Sequence, residues 1–374
     1  MSTNVALPPL PLAELGAWEP ALRQEVRDFL ARTPYQRTVD PMVVGFDPDF
    51  SAALGAAGYI GMTVPTEHGG PGRSPLERYV VIEELLAAGA PVGAHWASDR
   101  QVAPSLVAHG TEFLRQRYLP PIVAGKCFIA IGLSEPDAGS DLAGLRTRAK
   151  RTSQGWSITG TKVWTSGAHF ADSMVVLART GEVPKGGDRR TGLSQFIVDL
   201  PHPNVTIRPI RMLTGDHHFN EVVFAGAVVP EEQLLGDEGL GWQQATAELA
   251  YERCGPDRLL STMALVPHLQ GAARGRALAR LWALRQASAA VNSAIARGVP
   301  PEVQAVMVKD LGTQYENEVL ELALAQTDAE PDLSSDDPLA RVLAEAMVQA
   351  PTFTLRGGTT EILRGIVARG LGVR

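Results

Sequence analysis

The stretch Ser134-Glu-Pro-Asp-Ala-Gly-Ser-Asp141 is the most informative part of this 374-residue chain. It ends an apolar run and gathers hydroxyl groups and a flexible backbone into one tight turn. Gly139 allows a close backbone approach, Pro136 fixes the entry, and Ser134 and Ser140 offer hydrogen-bond donors. A well-capped structural turn would use the same residue types. The turn is therefore a candidate for holding a phosphate or the polar edge of a ring.

A second hydroxyl-rich turn, Gly160-Thr-Lys-Val-Trp-Thr-Ser-Gly167, carries the aromatic residue Trp164. Read singly, this tryptophan is equally well explained as a core residue. Upstream, the segment Pro65-Thr-Glu-His-Gly-Gly-Pro-Gly72 is predicted to be a loop, because its glycines and prolines cannot propagate a helix. It is either a connector or a contact with substrate.

Composition narrows the class of protein. Hydrophobic residues make up 45% of the chain and charged residues 20%, as in ordinary globular proteins. The net charge is −7, and no basic cluster is dense enough to bind a phosphate backbone or an anionic lipid surface. We therefore expect neither nucleic acid nor a membrane as partner. The sequence shows no signal-peptide pattern and no long apolar span, so a cytoplasmic location is expected.

Cysteine and histidine usage argues against a metal centre or a disulfide framework. The two cysteines, Cys127 and Cys254, have no paired metal or redox spacing and are predicted to be buried core residues. The eight histidines are scattered. His217 and His218 are adjacent and would point to opposite sides of a strand, so no metal site is expected there.

Three sequence patterns, which differ in hydrophobic periodicity and residue type, divide the chain. Residues 1–126 show helical periodicity with Gly and Pro punctuation, and residues 127–236 show short β-branched and aromatic runs separated by turns. Residues 237–374 return to the helical period. We predict an α+β architecture with an N-terminal helical domain, a central small β-barrel or sandwich, and a C-terminal helical bundle.

Two apolar stripes of the last segment are predicted to face the core of the bundle. They consist of Leu278, Leu281 and Trp282 in the first, and of Val303, Met307, Leu311 and Tyr315 in the second.

Taken together, the motifs resemble those of the acyl-CoA dehydrogenase family. In that family the first flavin signature reads roughly Thr/Ser-Glu-Pro-x-Ala-Gly-Ser-Asp, the second Gly-x-Lys-x-Trp, and the upstream loop Pro-x-x-x-Gly-Gly-x-Gly. Further matches follow in the same order along the chain: Asn220-Glu-Val-Val-Phe224, Leu235-Gly-Asp-Glu-Gly-Leu-Gly-Trp242 and Gly357-Gly-Thr-Thr-Glu-Ile-Leu-Arg364. The resemblance covers nearly the whole chain and implies the three-part fold above, with FAD as the cofactor.

The resemblance also implies roles for particular residues toward FAD. Leu133, Ser134 and Ser140 would touch the flavin or its phosphates, Trp164 would pack against one face of the ring, and Ser166 would reach its N5 edge. At the C-terminal motif, Thr359 and Glu361 are implied as further cofactor-binding residues.

The catalytic base is the point at which this chain departs from many family members. They carry a glutamate immediately before the Gly-Thr pair near the C-terminus, and this chain has Gly357 there. A minority carry the carboxylate on the first long helix of the C-terminal domain, directly before an arginine. Glu252-Arg253 stands at that place. The resemblance therefore implies Glu252 as the base and Arg253 as the residue that helps to hold it.

A second departure concerns the adenosine half of FAD. Most family members hold it across a subunit boundary with an Arg-x-x-Phe-Gly motif, which this sequence lacks; Gly275-Arg-Ala-Leu-Ala-Arg-Leu-Trp282 stands in its place. The outline resembles shortened actinobacterial-type members, some of which pair with a second subunit and act on CoA thioesters of steroid side chains.

The implied activity is FAD-dependent α,β-dehydrogenation of an acyl-CoA to its trans-2-enoyl-CoA. An electron-transfer flavoprotein is the expected acceptor and a homo- or hetero-oligomer the expected assembly. Two alternatives stay open: a catalytically silent structural subunit of a heteromeric enzyme, and an acyl-CoA oxidase. The sequence does not define acyl length or branching.

Overall fold

The protein divides into two compact units. A computed structural model describes residues 7, 9–183, 186–299 and 301–373, apart from the side chains of residues 248–252. One unit is drawn from residues 1–46, 73–92 and 249–374, and the other from residues 47–72 and 93–248. We call them the helical unit and the sheet unit.

Helices make up the helical unit, and the sheet unit also contains helices. The α-helices are α1 (Glu19–Arg32), α2 (Pro41–Val44), α3 (Pro48–Ala56), α4 (Pro75–Ala87), α5 (Ala103–His109), α6 (Glu112–Val123), α7 (Gly241–Arg253), α8 (Gly271–Ala296), α9 (Glu302–Leu324), α10 (Pro338–Phe353) and α11 (Thr360–Gly370). The segment Ser98–Val102, which precedes α5, has π-helical hydrogen bonding. None of the described helices combines the length and hydropathy needed to cross a bilayer.

Local sequence explains several of these helix starts. Ser74 precedes α4 and forms a capping box: its Oγ accepts from the Glu77 backbone N–H at 3.2 Å, while the Glu77 carboxylate accepts from the Ser74 N–H at 2.8 Å. Pro75 occupies the first helical position, where its missing N–H costs nothing. At α3, Asp47 accepts from the Phe50 N–H at 2.8 Å.

Within the described residues, eight strands form one sheet in the sheet unit. They are β1 (Ile129–Gly132), β2 (Arg148–Thr152), β3 (Gly155–Ser166), β4 (Ser173–Arg179), β5 (Leu193–Asp199), β6 (Val205–Arg211), β7 (His217–Val229) and β8 (Leu234–Leu235). Their order is β6-β7-β3-β2-β4-β5-β8, and β1 pairs with β4 in parallel. This confirms the predicted central β domain between two helical regions.

The core of the sheet unit explains the β-branched runs of the sequence. Every residue of β4 is buried, as expected for a strand covered on both faces. Trp156 of β3 packs on Phe196 of β5 with ring centroids 5.2 Å apart. Cys127 is buried here and Cys254 in the helical unit, so the prediction for both cysteines is confirmed.

The predicted core stripes of the C-terminal helices are partly wrong. On α8, Leu278 and Trp282 are exposed at 43% and 62%, and the buried face carries small residues such as Ala277 and Ser288 instead. The buried face of α8 consists mostly of small residues, together with Leu284 and Val291.

On α9 the prediction also fails in part. Tyr315 is buried but Leu311 is exposed, because polar residues take part of the inner face: Lys309, Thr313 and Glu316 are buried. Their polar groups bind carbonyls and a guanidinium of the same unit. A hydrophobic period cannot detect a buried face of this kind.

Glu316 belongs to a buried charge cluster centred on Arg356. The Arg356 guanidinium donates to Asp40 Oδ1, to Glu316 Oε2 at 2.8 Å and to Ser261 Oγ at 2.7 Å. Both carboxylates are almost completely buried, and their charges raise the pKa of Arg356 despite its burial. The cluster thereby ties α9 to the segments that precede α2 and α11.

Arg356→Met should destabilise the helical unit by roughly 3–5 kcal/mol, because two buried carboxylates would lose their cation. Urea denaturation at neutral pH measures this change in the free energy of unfolding. The matched control is Arg364→Met, which removes an exposed arginine 3.2 Å from Asp310 and should cost no more than about 1 kcal/mol. Equal losses in the two variants would contradict the role given to the buried cluster.

Candidate active site

A buried ion pair joins the first hydroxyl-rich turn of the sheet unit to β3. The second predicted turn, residues 160–167, is instead the C-terminal end of β3 and the residue after it, because this segment continues the ladder with β7. Lys162 of β3 donates through Nζ to Glu135 Oε1 of the first turn at 2.8 Å, and both side chains are nearly inaccessible to solvent. The same ammonium donates to the Leu133 carbonyl at 3.0 Å. Sequence reasoning did not single out these two residues as site residues, although they are the Glu and the Lys of the two quoted signatures.

Glu135 is also held by backbone donors. Its carboxylate accepts from the N–H groups of Arg146 at 2.6 Å and Thr147 at 2.9 Å. Burial opposes ionisation, but Lys162 and these donors prevail and the pKa of Glu135 is lowered. Burial lowers the pKa of Lys162 to about 8 even beside its partner. These buried contacts fix the first turn from inside the protein. The hydroxyl groups on its outer side are therefore available to a ligand.

Trp164 protrudes from the sheet, and its backbone has a conformation that residues other than glycine rarely adopt. Its φ is +59°, and the side chain is 59% exposed. It lies at a β-bulge, where β3 advances three residues from Lys162 to Thr165 while β7 advances two. Bulges re-aim side chains and are common beside functional sites. The indole touches Phe219 edge-on, with ring centroids 6.0 Å apart, and offers a free flat face.

The other predicted cofactor residues of the sheet unit lie around the first turn and the end of β3. Ser134 contributes its carbonyl, which accepts from the Val163 N–H at 2.9 Å and so links the first turn to β3 a second time. Leu133 is half-buried, whereas Ser140 and Ser166 are exposed. The fold thus brings Leu133, Ser134, Trp164 and Ser166 into one neighbourhood.

Ser140 opens onto a cleft of about 370 Å³, which is lined by residues 140–143, residues 187–190 and Trp242. Arg189 forms a bidentate pair with Asp141 at 2.8 and 2.9 Å. The Arg190 guanidinium lies over the Trp242 ring, 5.4 Å from its centroid. The cleft therefore combines cationic side chains with a hydroxyl and an aromatic face, a set that suits a phosphorylated ligand. The sequence did not indicate this cleft, because the segment 181–191, rich in glycine and charge, predicts no more than a surface hairpin or loop.

The remaining predicted residues belong to the helical unit. Arg253, the last residue of α7, donates through Nε to the Gly357 carbonyl at 3.1 Å. Lys309 of α9 donates to the next carbonyl, Gly358, at 3.0 Å and to Phe353 at 3.2 Å. The two glycines have φ values of +68° and +106°, which only glycine adopts readily. Two cations thus hold two consecutive carbonyls of one loop.

This loop leads directly into α11. Thr359 is the N-cap residue and accepts from the Ile362 N–H at 3.5 Å. Glu361, in the first turn, is fully exposed, and its pKa is lowered by a backbone N–H and the Thr359 hydroxyl. The backbone of Glu252 lies in α7, but its side chain is outside the described part of the chain. The role predicted for Glu252 stays a prediction.

Comparisons with known proteins agree with the motifs. Residues 18–126 match the family model of the acyl-CoA dehydrogenase N-terminal domain, and residues 130–227 match that of the middle domain. The chain belongs to the acyl-CoA dehydrogenase family, whose members are FAD-dependent oxidoreductases.

Its similarity to individual members extends over nearly the whole chain. The acyl-CoA dehydrogenase FadE34 of Mycobacterium tuberculosis is 32% identical over 379 residues, which cover 96% of this chain and 49% of FadE34. The Tcur3481-Tcur3483 steroid ACAD superposes with a TM-score of 0.85 at 29% identity, covering 96% of this chain and 99% of that one. For the ChsE4-ChsE5 complex of Mycobacterium tuberculosis the TM-score is 0.80 at 26% identity, with 96% and 99% covered.

This chain spans about half the length of the first curated relatives that it matches. The same fold is found in solved structures of nearly equal length, as the coverage of the two structures above shows.

Glu135→Gln should destabilise the sheet unit by roughly 3–5 kcal/mol at neutral pH, because Lys162 would be left buried without a counter-charge. Since the pKa of Glu135 is lowered by folding, its stabilisation is present above the ordinary value of 4.5 and is lost as pH falls below it. The gap between wild type and variant should therefore narrow in acid. Urea denaturation at several pH values measures both effects.

The control is Asp141→Asn in the same turn, whose ion pair with Arg189 is exposed and should contribute no more than about 1 kcal/mol. A loss for Glu135→Gln no larger than for this control would show that the buried pair does not hold the first turn to β3.

Proposed function

We propose that this chain catalyses the FAD-dependent α,β-dehydrogenation of an acyl-CoA thioester. The observation that carries the proposal is the junction of the first turn with the end of β3: a buried ion pair joins them, serine hydroxyls are exposed there, and Trp164 is held outward on a bulge. The strained backbone at Trp164 leaves the indole 59% exposed, with an edge-on contact to Phe219. Its conformation is understandable if the exposed indole packs against a planar ligand.

The residues present fit FAD. Trp164 offers a flat face of the size of an aromatic ring system, and Ser140 and Ser166 are exposed hydroxyl donors. We assign the flavin ring to Trp164 and Ser166, and we assign Leu133, Ser134 and Ser140 to flavin or phosphate contacts. In the helical unit, Thr359 and Glu361 are assigned to the cofactor as well. When bound, FAD supplies the acceptor for the hydride that leaves the β carbon.

We assign removal of the α proton to Glu252. The supporting observation is the contact between Arg253 and the Gly357 carbonyl, because it joins two places where the resemblance puts a base: the Glu-Arg helix and the position before Gly-Thr. At Gly357 this chain has no side chain, so a carboxylate from α7 takes over the task. Such a base contributes roughly 10²–10⁴ in rate.

Arg253 and Lys309 then act as positioning residues for this loop. By holding consecutive carbonyls they fix the course of Gly357-Gly358 and the orientation of the α11 N-cap. Two glycines in succession would otherwise leave the loop with many accessible conformations.

The substrate's CoA part is assigned to the cleft beside Ser140. CoA carries phosphates, and Arg190 is the exposed arginine there whose guanidinium lies over an aromatic ring rather than in a bidentate pair. Asp188 is 3.9 Å from Arg190, beyond hydrogen-bond distance. A phosphate can therefore compete for this guanidinium.

For the acyl group we propose a branched or bulky class, since the glycine at position 357 leaves room where other members carry a carboxylate. The steroid ACAD among the structural neighbours is consistent with this class. We further propose a homo- or heteromeric assembly, as in the ChsE4-ChsE5 complex, with electron-transfer flavoprotein as the acceptor. Turnover of straight, branched and steroid-derived CoA thioesters, with and without a co-expressed partner, tests both statements. A strict preference for short straight chains would contradict the bulky class.

Glu252→Gln should retain bound flavin but lose the anaerobic bleaching of the flavin by acyl-CoA, by a factor of roughly 10²–10⁴ in rate. The amide keeps the size of the side chain and removes its proton-accepting charge. Stopped-flow absorbance measures the bleaching, and the flavin-to-protein ratio checks cofactor retention. Near-normal bleaching in the variant would remove Glu252 from the base role.

The wild-type protein also distinguishes among the readings of the family resemblance. A yellow protein that acyl-CoA bleaches anaerobically is catalytic, and peroxide formation in air would then favour an oxidase over a dehydrogenase. A colourless chain that becomes yellow only with a partner would indicate a shared cofactor site, and one that never binds flavin would overturn the proposed function.

Arg190→Ala should raise KM for acyl-CoA about three- to tenfold with little change in kcat, because it removes one charge-assisted contact to phosphate. The matched substrate is the same acyl group on pantetheine, which lacks the nucleotide phosphates and should be unaffected. Arg146→Ala, which removes another exposed arginine of the sheet unit, is the control variant. An equal rise in KM for both thioesters would place the CoA phosphates elsewhere.

A further inference from the structure

A polar cluster lies directly behind the bulge that carries Trp164. It consists of Asn220 on β7, His217 on the same strand, and His169 in the turn after β3. None of these three side chains has a role in the proposed chemistry. We propose that they form a positioning clasp for the Trp164–Ser166 segment, and that the clasp closes only while His169 is neutral, so that acidification weakens the hold on flavin. This inference rests on the proposed function.

Asn220 is the centre of the clasp. It is fully buried and pairs with Thr165 in the ladder between β3 and β7, immediately after the bulge. Its amide nitrogen donates to the Thr165 carbonyl at 2.9 Å. Because that carbonyl is the link between Trp164 and Ser166, the bond fixes the backbone on which both proposed flavin contacts stand.

The hydrogen bonds of Asn220 define the protonation state of His169. A carbonyl can only accept, so the end of Asn220 that faces Thr165 must be the amino group. The same amino group lies 3.2 Å from His169 Nδ1, and this contact is a hydrogen bond only if Nδ1 carries no proton. The amide oxygen of Asn220 lies 2.7 Å from His217 Nε2, which must then be the donor.

Protonation of His169 at Nδ1 would therefore place two hydrogen-bond donors, the Asn220 amino group and the Nδ1–H group, opposite each other. It would also place a charge on a ring that stacks on His217, with centroids 3.8 Å apart and planes inclined by 20°. The titratable groups that face His169 are His217 and His218, both on β7, and Phe170 contacts its ring edge-on. Burial and His217 lower the pKa of His169 below its ordinary 6.5, and burial lowers that of His218 to about 4.

The clasp therefore holds at neutral pH and opens as pH falls through the pKa of His169. When the clasp opens, the Thr165 carbonyl loses its hydrogen bond from Asn220, on one side of the bulge. On the other side, the ion pair of Glu135 and Lys162 still holds β3. The expected effect is a looser flavin site rather than an unfolded one.

The first test is the affinity of the apoprotein for FAD, measured by fluorescence titration between about pH 5 and pH 8. Wild-type affinity should fall roughly fivefold toward the acid end, as expected for the loss of one hydrogen bond. His169→Phe keeps a stacked ring without nitrogens and should lose this pH dependence. Asn220→Ser should bind FAD roughly fivefold more weakly at pH 8 and show little further loss in acid.

The second test needs no cofactor. Ring NMR of His169 in the apoprotein reports its pKa, which should rise in Asn220→Ser, because the variant loses a donor that favours the neutral ring. His268→Phe, in the helical unit, is the control and should keep the wild-type response in both tests. Circular dichroism at each pH confirms that folded protein is compared.

The outcomes are distinct. If His169→Phe keeps the acid-dependent loss of FAD, or if the pKa of His169 is unchanged or lower in Asn220→Ser, the clasp is overturned. If wild-type protein binds no FAD at any pH, the proposed function fails, and the NMR result alone then decides whether Asn220 holds His169 neutral.

Discussion

One buried ion pair, Glu135 with Lys162, underlies the arrangement of the sheet unit. It joins the first turn to β3, and the backbone donors that surround Glu135 fix this turn to the residues just before β2. Burying two charges is costly unless each finds partners, and here each does. Because this polar centre lies inside, the residues outside it can be chosen for contact with a ligand. The bulge, the exposed indole and the exposed serine hydroxyls are all held in place by this buried pair.

The helical unit also uses cationic side chains to hold a stretch of irregular backbone. A loop of two glycines with positive φ is held by Arg253 and Lys309 through two consecutive carbonyls, and α11 begins directly after it. Charged side chains again bind the backbone, because the two glycines of the loop have no side chains of their own to hold it. In both units, buried or half-buried cations bind carbonyls and so define the shape of irregular backbone, and the helices and strands hold these cations in place.

The sequence predicted the order of helices, strands and helices because long periodic segments and β-branched runs report burial directly. The division at residues 126 and 236 stays a prediction. Motif order identified the family, and the cofactor roles that it implies stay predictions. It missed the roles of Glu135, Lys162 and Lys309, since a buried charge looks in a sequence like any surface charge until its partner is known. It misjudged Leu311 and Trp282 because polar and small residues occupy buried faces of α8 and α9. The clasp of Asn220 was equally invisible, since it depends on residues that a strand ladder brings together.

The left-handed backbone at Trp164 has a consequence for the protein's history. A bulky residue at positive φ costs on the order of 1 kcal/mol that glycine or asparagine would not. Selection for thermal stability of the empty protein would therefore replace this tryptophan early. Its persistence in any stabilised lineage would indicate that ligand-bound molecules, not bare ones, are the form on which selection acts.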